Sequence, residues 1–158
     1  MLTGLASPIP LAVPTDRTMM LDLDHANRIV TAALAAARAA GHKPMAVVVL
    51  DEGGHLKAAQ REDGASMFRC DVAVGKAWAS VGMGVASRTL LERAKQNPHF
   101  FGALSATAQG KFLPQTGAVV IKDQAGNVLG AAGASGGTGD EDEAVVIAGV
   151  EAAGLLHG

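Results

Sequence analysis

Two stretches decide the fold: VVVLDEGGHLKAAQ at residues 47–60 and VVIKDQAGNVLGAA at residues 119–132. Each opens on a β-branched apolar run, turns on an aspartate followed by glycine, and continues as a second extended run. Val and Ile suit a pleated, packed surface, while Asp and Gly supply the turn. Each stretch therefore reads as a β-hairpin, and the two look like copies of one device.

Outward from the hairpins the periodicity changes to that of helices. Leu23, Ala26, Val30, Ala33, Leu34 and Ala37 recur at helical spacing, and Gly41 with Pro44 ends that run. Residues 66–84 are helical again, with Cys70, Val74, Ala77 and Val81 on one stripe. A shorter helix is expected from Arg88 to Gln96, capped by Ser87 and ended by Asn97-Pro98. The segment from His99 to Thr116 has no clear period and reads as a loop. A last helix is expected from Asp140 to Leu156. The order is helix, two strands, two helices, two strands, helix. Paired hairpins make one central antiparallel sheet, flanked by helices, and the fold class is α+β.

Composition bounds the function. With 158 residues the chain makes one domain, taken as 21–158, after an extended arm over 1–20. The arm's MLTGLASPIPLAVP has the apolar content of a weak export signal, but it lacks a basic start and is broken by three prolines. Apolar residues at 49% against charged residues at 18% indicate a packed chain, not a disordered one. Aromatics at 3% and 20 glycines imply a core of small side chains and close backbone approaches. Such a composition favours further burial by self-association. A net charge of −2 with no basic run excludes nucleic acid as a partner. No apolar run approaches the ~20 residues that cross a bilayer, so no membrane partner is expected. Cys70 is the sole cysteine, which implies no internal disulfide and a reducing, cytoplasmic compartment.

The glycine-rich run GAAGASGGTGDEDE at 130–143 raises phosphate binding at a helix start. Four acids already occupy that helix end, Thr138 and Glu141 fit a capping box, and a Walker-type lysine is absent. The run reads as a tight strand-to-helix passage. Its functional alternative uses the acids themselves, Asp142 or Glu143, as a cation ligand or a base.

Other polar candidates are Arg61, Glu62 and Asp63 after the first hairpin, with Asp71 and Lys76 on the next helix. Asp71 and Lys76 are five apart and do not share a face. Lys76 sits between Gly75 and Ala77-Trp78, so its stem packs against the sheet. A lysine held out of water serves as a base, an anion holder or half of a structural ion pair. Among the histidines, His99 beside Phe100 and Phe101 is the candidate to face a pocket; its alternative is simple packing on the rings. Met67 and Met83 are more at home as core filler than as soft ligands. No Cys-His, Ser-His-Asp or metal-finger spacing appears, and no metal site is expected.

Three motifs in order, VVVLDEGGHLKAAQREDGA, DVAVGKAWAS and LGAAGASGGTGDEDEAVVIAG, resemble the GlcG/HbpS family, often labelled haem-degrading and including the C-terminal domain of PduO-type proteins. The resemblance spans about Leu21 to Leu155. It implies a profilin-like α-β-α layering, assembly into symmetric tetramers or octamers, and haem as the possible cofactor. Haem requires an axial ligand and an apolar slot. The resemblance implies a histidine after DVAVGKAWAS, where this chain reads GVASRTL with Ser87 and Arg88, so the axial ligand is unassigned. Arg88 suits pairing with a propionate. The first functional expectation is an oligomeric haem-handling, small-molecule-binding protein, with Arg61, Asp71, Arg88, His99 and Phe100 toward the ligand. The second is a tautomerase- or isomerase-like enzyme using Lys76, Arg61 and Asp142 or Glu143. The third is an accessory subunit whose role is assembly.

Overall fold

A computed structural model describes residues 19–158, so the expected arm over 1–20 lies almost wholly outside the described residues. The elements are α1 Leu23–Ala39, β1 Ala46–Asp51, β2 Leu56–Arg61, α2 Phe68–Met83, α3 Ser87–Gln96, α4 Pro98–Thr107, β3 Ala118–Lys122, β4 Val128–Ser135, α5 Gly139–Ala152 and β5 Leu156–His157.

The two hairpins share the hydrogen bonds of the backbone N–H groups in their turns. Asp51 Oδ1 accepts the N–H groups of Gly53 and His55 at 3.0 and 2.9 Å. Asp123 Oδ1 accepts those of Ala125 and Asn127, both at 2.9 Å. Gly54 and Gly126 donate back to the Asp51 and Asp123 carbonyls at 3.0 Å each, with φ of +79° and +85°. Only glycine takes that left-handed conformation without a Cβ penalty, so the Asp-x-x-Gly repeat is a turn requirement.

The hairpins join through β1 and β4 into one antiparallel sheet of order β2-β1-β4-β3-β5. Ala46 faces Ser135 and Val48 faces Gly133 across that seam. Helices cover both faces, which explains why β1 is buried from Ala46 to Leu50 instead of alternating. Val47, Val49, Ile121 and Ala132 pack with Ile29 and Val30 of α1 and Val146 and Val150 of α5. Val48, Leu50 and Ala131 pack on the other face with Ala73 and Ala77 of α2. Each buried Val, Leu or Ile stabilises by about 1.5–3 kcal/mol. The architecture is α+β with three layers.

Small residues set how near α2 lies. A Cβ on Gly133 would stand 2.5 Å from the Ala73 carbonyl oxygen and 3.1 Å from Ala77 Cβ. The helix therefore rests directly on the β4 backbone, and this contact positions the site below.

Five expectations are corrected. Met67 and Met83, read as core filler, are exposed at the two ends of α2. Residues 98–107 are helical: Asn97 accepts the Phe100 N–H and Pro98 occupies the first turn. Pro there needs no N–H partner, and only Phe101 of α4 is buried, so no periodic stripe marks the helix. Ser87 begins α3 without capping it, because its Oγ bridges the Ala118 backbone instead. The buried side of α2 runs through Ala73, Lys76, Ala77 and Ser80, with Cys70, Val74 and Val81 half-buried. Finally, α5 stops at Ala152, Gly154 turns the chain at φ +76°, and Leu156–His157 pair with β3.

Candidate functional site

α2 carries Lys76 and the first turn of α5 carries Asp142, and the sheet brings them together at the end of β4. Lys76 Nζ donates to Asp142 Oδ2 at 2.9 Å and to the Ala134 carbonyl at 3.1 Å. The other carboxylate oxygen of Asp142 accepts the Gly137 N–H at 2.9 Å. Both side chains are out of water, Lys76 at 5% exposure and Asp142 at 2%. An ammonium has three donors, and two of them are committed here. The third remains for whatever enters the cleft that Lys76 lines.

Gly117 makes room for this pair. Its φ is +134°, and a Cβ there would stand 2.7 Å from Lys76 Nζ and 3.0 Å from Asp142 Cβ. A side chain at 117 would displace the ammonium.

Above the pair opens a cleft of about 520 Å³, between α2, α3 and the start of α5, within the roughly 300–1,000 Å³ of small-molecule sites. Its cations are Arg69, Lys76, Arg88 and Lys95, and its apolar wall is Val72, Leu91 and Leu113. Arg88 Nε reaches Glu143 at 3.0 Å, and its NH2 group pairs with Asp140. Hydrogen bonds to Asp140 and then Glu143 raise the Arg88 guanidinium above its ordinary value, so it stays charged. Lys95 pairs with Glu92 at 2.8 Å. Arg69 donates to Ser135 Oγ at 3.3 Å.

The start of α5 is capped from within the chain. Thr138 Oγ1 accepts the Glu141 N–H at 3.2 Å and Glu141 Oε2 accepts the Thr138 N–H at 2.8 Å, completing the capping box read from the sequence.

The structure brings some sequence candidates together and separates others. Lys76 and Asp142 form the floor, with Arg88 and Glu143 at the rim. Asp71 is exposed and does not line this cleft. Arg61 lies in a different cleft with Arg38 and Glu62, and donates to the Ala65 carbonyl. His99 and Phe100 are exposed on α4. The buried ring is Phe101, 5.5 Å from Phe100 and 6.0 Å from Phe112 between centroids. Sequence reasoning did not place Arg69, Ser135 or Gly117 at the site. Ser135 stood in the glycine-rich run as a hint; Arg69 and Gly117 gain their meaning only from neighbours distant in the chain.

Among the described residues no His, Met, Cys or Tyr lines the cleft, so its described lining offers an iron no axial ligand. His25 hydrogen-bonds Asp22, His42 lies 3.5 Å from Glu141, and His157 lies 3.4 Å from Glu151. Ser87, where the resemblance implies a histidine, is fully buried as a tie between α3 and β3. These residues do not fit an axially ligated haem iron; they fit the anionic edge of a ligand. Among the described residues, no group of three His, Cys, Asp or Glu is placed to hold a metal. No helix among them is long and apolar enough to cross a membrane.

The family model described as haem degrading protein HbpS-like matches residues 21–151. This chain belongs to the HbpS-like family. The HbpS-like fold recurs in a crystal structure of a PduOC–haem complex, at 23% identity and a TM-score of 0.79, over 87% of this chain and 98% of that one. A Streptomyces reticuli HbpS double mutant superposes with a TM-score of 0.73 at 25% identity, over 94% and 97% of the two chains. An uncharacterised 15.0 kDa protein from the dhaT–dhaS intergenic region of Citrobacter freundii is 28% identical over 99 residues, 63% of this chain and 68% of its own.

Proposed function

We propose that this HbpS-like protein is a small-molecule-binding protein of the haem-handling type, taking haem or a similar anionic molecule in the cleft over Lys76 and Asp142. The observation that carries this reading is a buried ammonium with two of its three donors committed, lining a cleft that holds two arginines and a second lysine alongside Glu92 and Asp140. Its family membership and the haem bound to its PduOC likeness support the haem class. A ligand's carboxylates pair with the cations, while Val72, Leu91 and Leu113 meet its apolar body. Haem titration followed through the Soret band tests it: saturable binding is expected at micromolar haem, unchanged by His42→Ala or His99→Ala. An unshifted Soret band removes haem as the ligand.

A second reading, favoured by the same buried ammonium, is an isomerase- or tautomerase-like enzyme in which Lys76 delivers a proton and Asp142 holds its charge. Arg69 and Arg88, not Arg61, share the cleft with Lys76 in that reading. Turnover by the wild type and none by Lys76→Arg would select it over binding alone. Self-association belongs to the proposal too, since Met67, Phe68, Leu56 and Phe100 expose 74%, 61%, 62% and 53% of their surface. Light scattering that finds only monomer would remove it.

A further inference from the structure

Three of the four cleft cations are matched to acids: Lys76 to Asp142, Arg88 to Asp140 and Glu143, Lys95 to Glu92. Arg69 is different. It is half-buried in the first turn of α2, and no acid among the described residues comes within ion-pair distance of it. Its one hydrogen bond goes to Ser135 Oγ, itself 1% exposed, and the remaining guanidinium donors are unspent. Arg69 also lines a neighbouring cleft of about 610 Å³ beside His42, Lys43 and Gly136, so it stands where two openings meet.

We infer that Arg69, braced by Ser135 Oγ in the cleft that Lys76 also lines, recognises the carboxylate of a small organic acid. The inference rests on the proposed ligand cleft and names the group that reads its ligand. A guanidinium matches a planar carboxylate with two parallel hydrogen bonds. Phosphate is disfavoured by charge, since at the start of α5 only part of the backbone N–H set is spent: Gly137 on Asp142 Oδ1, and Thr138 and Glu141 on each other's side chains. Asp140, Asp142 and Glu143 stand close by, and a dianion meets more repulsion from them than a monoanion does.

The test is an NMR titration of the 15N-labelled full chain with propionate and, separately, with inorganic phosphate at constant ionic strength. Propionate is expected to shift the Arg69 Nε–H and the Ser135 and Gly137 amides along a saturable curve, with phosphate weaker by about tenfold or more, the loss of one charge-assisted hydrogen bond. Arg69→Lys keeps the charge but not the fork and should weaken propionate by about tenfold; Arg69→Met should abolish the shifts. Equal binding of the two anions, or propionate binding by Arg69→Met with wild-type affinity, overturns the inference. So does a wild type whose Arg69 and Ser135 signals stay still. Haem titration of wild type and Arg69→Met separates the two layers: haem bound equally by both sinks the role of Arg69 and leaves the cleft's function standing, whereas haem bound by neither removes haem as the ligand and leaves Arg69 to be judged on propionate.

Discussion

Lys76 of α2 and Asp142 of α5, 66 residues apart, meet in a buried 2.9 Å ion pair that ties one face of the sheet to the other across the end of β4. The desolvation of two such charges is offset only while both are present. Lys76→Met should therefore cost about 3–5 kcal/mol by stranding the carboxylate, and Asp142→Leu should cost as much by stranding the ammonium. The double variant Lys76→Met/Asp142→Leu should recover most of that loss. Urea unfolding of the three variants measures the cycle; additive losses would mean that the pair is not coupled.

Gly117 should be intolerant beyond its backbone strain. Gly117→Ala incurs about 1–3 kcal/mol for an unfavourable φ, and its methyl group also crowds the Lys76 ammonium. Gly110, at φ +77° with nothing within 4 Å, is the reference for a positive-φ glycine with open space around it. Gly117→Ala should unfold at clearly lower urea than Gly110→Ala. Equal midpoints would detach Gly117 from the ion pair.

The second hairpin turn should weaken in acid. The Asn127 side chain and then its backbone N–H hold the Asp123 carboxyl below its ordinary value of 3.8. A carboxyl depressed on folding adds stability that is present above the unfolded value and is lost as pH falls through the folded one. Urea midpoints of wild type and Asp123→Asn, compared over roughly pH 5 to 2, should therefore converge toward the acid end. A gap that is constant with pH would show that the charge of Asp123 contributes nothing.

Two adjacent rings should differ sharply. Phe101 is 7% exposed and packs with Leu90 and Phe112, whereas Phe100 is 53% exposed. Phe101→Ala should cost about 3–5 kcal/mol, and Phe100→Ala within about 0.5 kcal/mol if its surface stays free. A large loss at Phe100 in the assembled protein would place that ring in a subunit contact.

Much of the fold was legible because its signals are local. An Asp-x-x-Gly turn between β-branched runs satisfies its own N–H groups within five residues, and Thr138 with Glu141 closes a helix end the same way. Where the signal was not local, reading stopped. α4 buries one side chain and so shows no stripe, and β5 is two residues long. The site was half-legible for the same reason. Lys76 and Asp142 stood out as polar residues in apolar or capped surroundings, but Arg69 has the look of any arginine at a helix start until Ser135 is beside it.

The amino-acid order by itself determined the two hairpins, their matching turns, the capped start of α5 and the α+β class, because each follows from hydrogen bonds and periodicity among near neighbours. Only tertiary structure decided that Lys76 spends two of its three donors, that Arg69 meets no acid among the described residues, and that Arg61 and His99 stand elsewhere. Those outcomes depend on how closely α2 rests on β4 at Gly133, a distance set by packing between segments far apart in the chain.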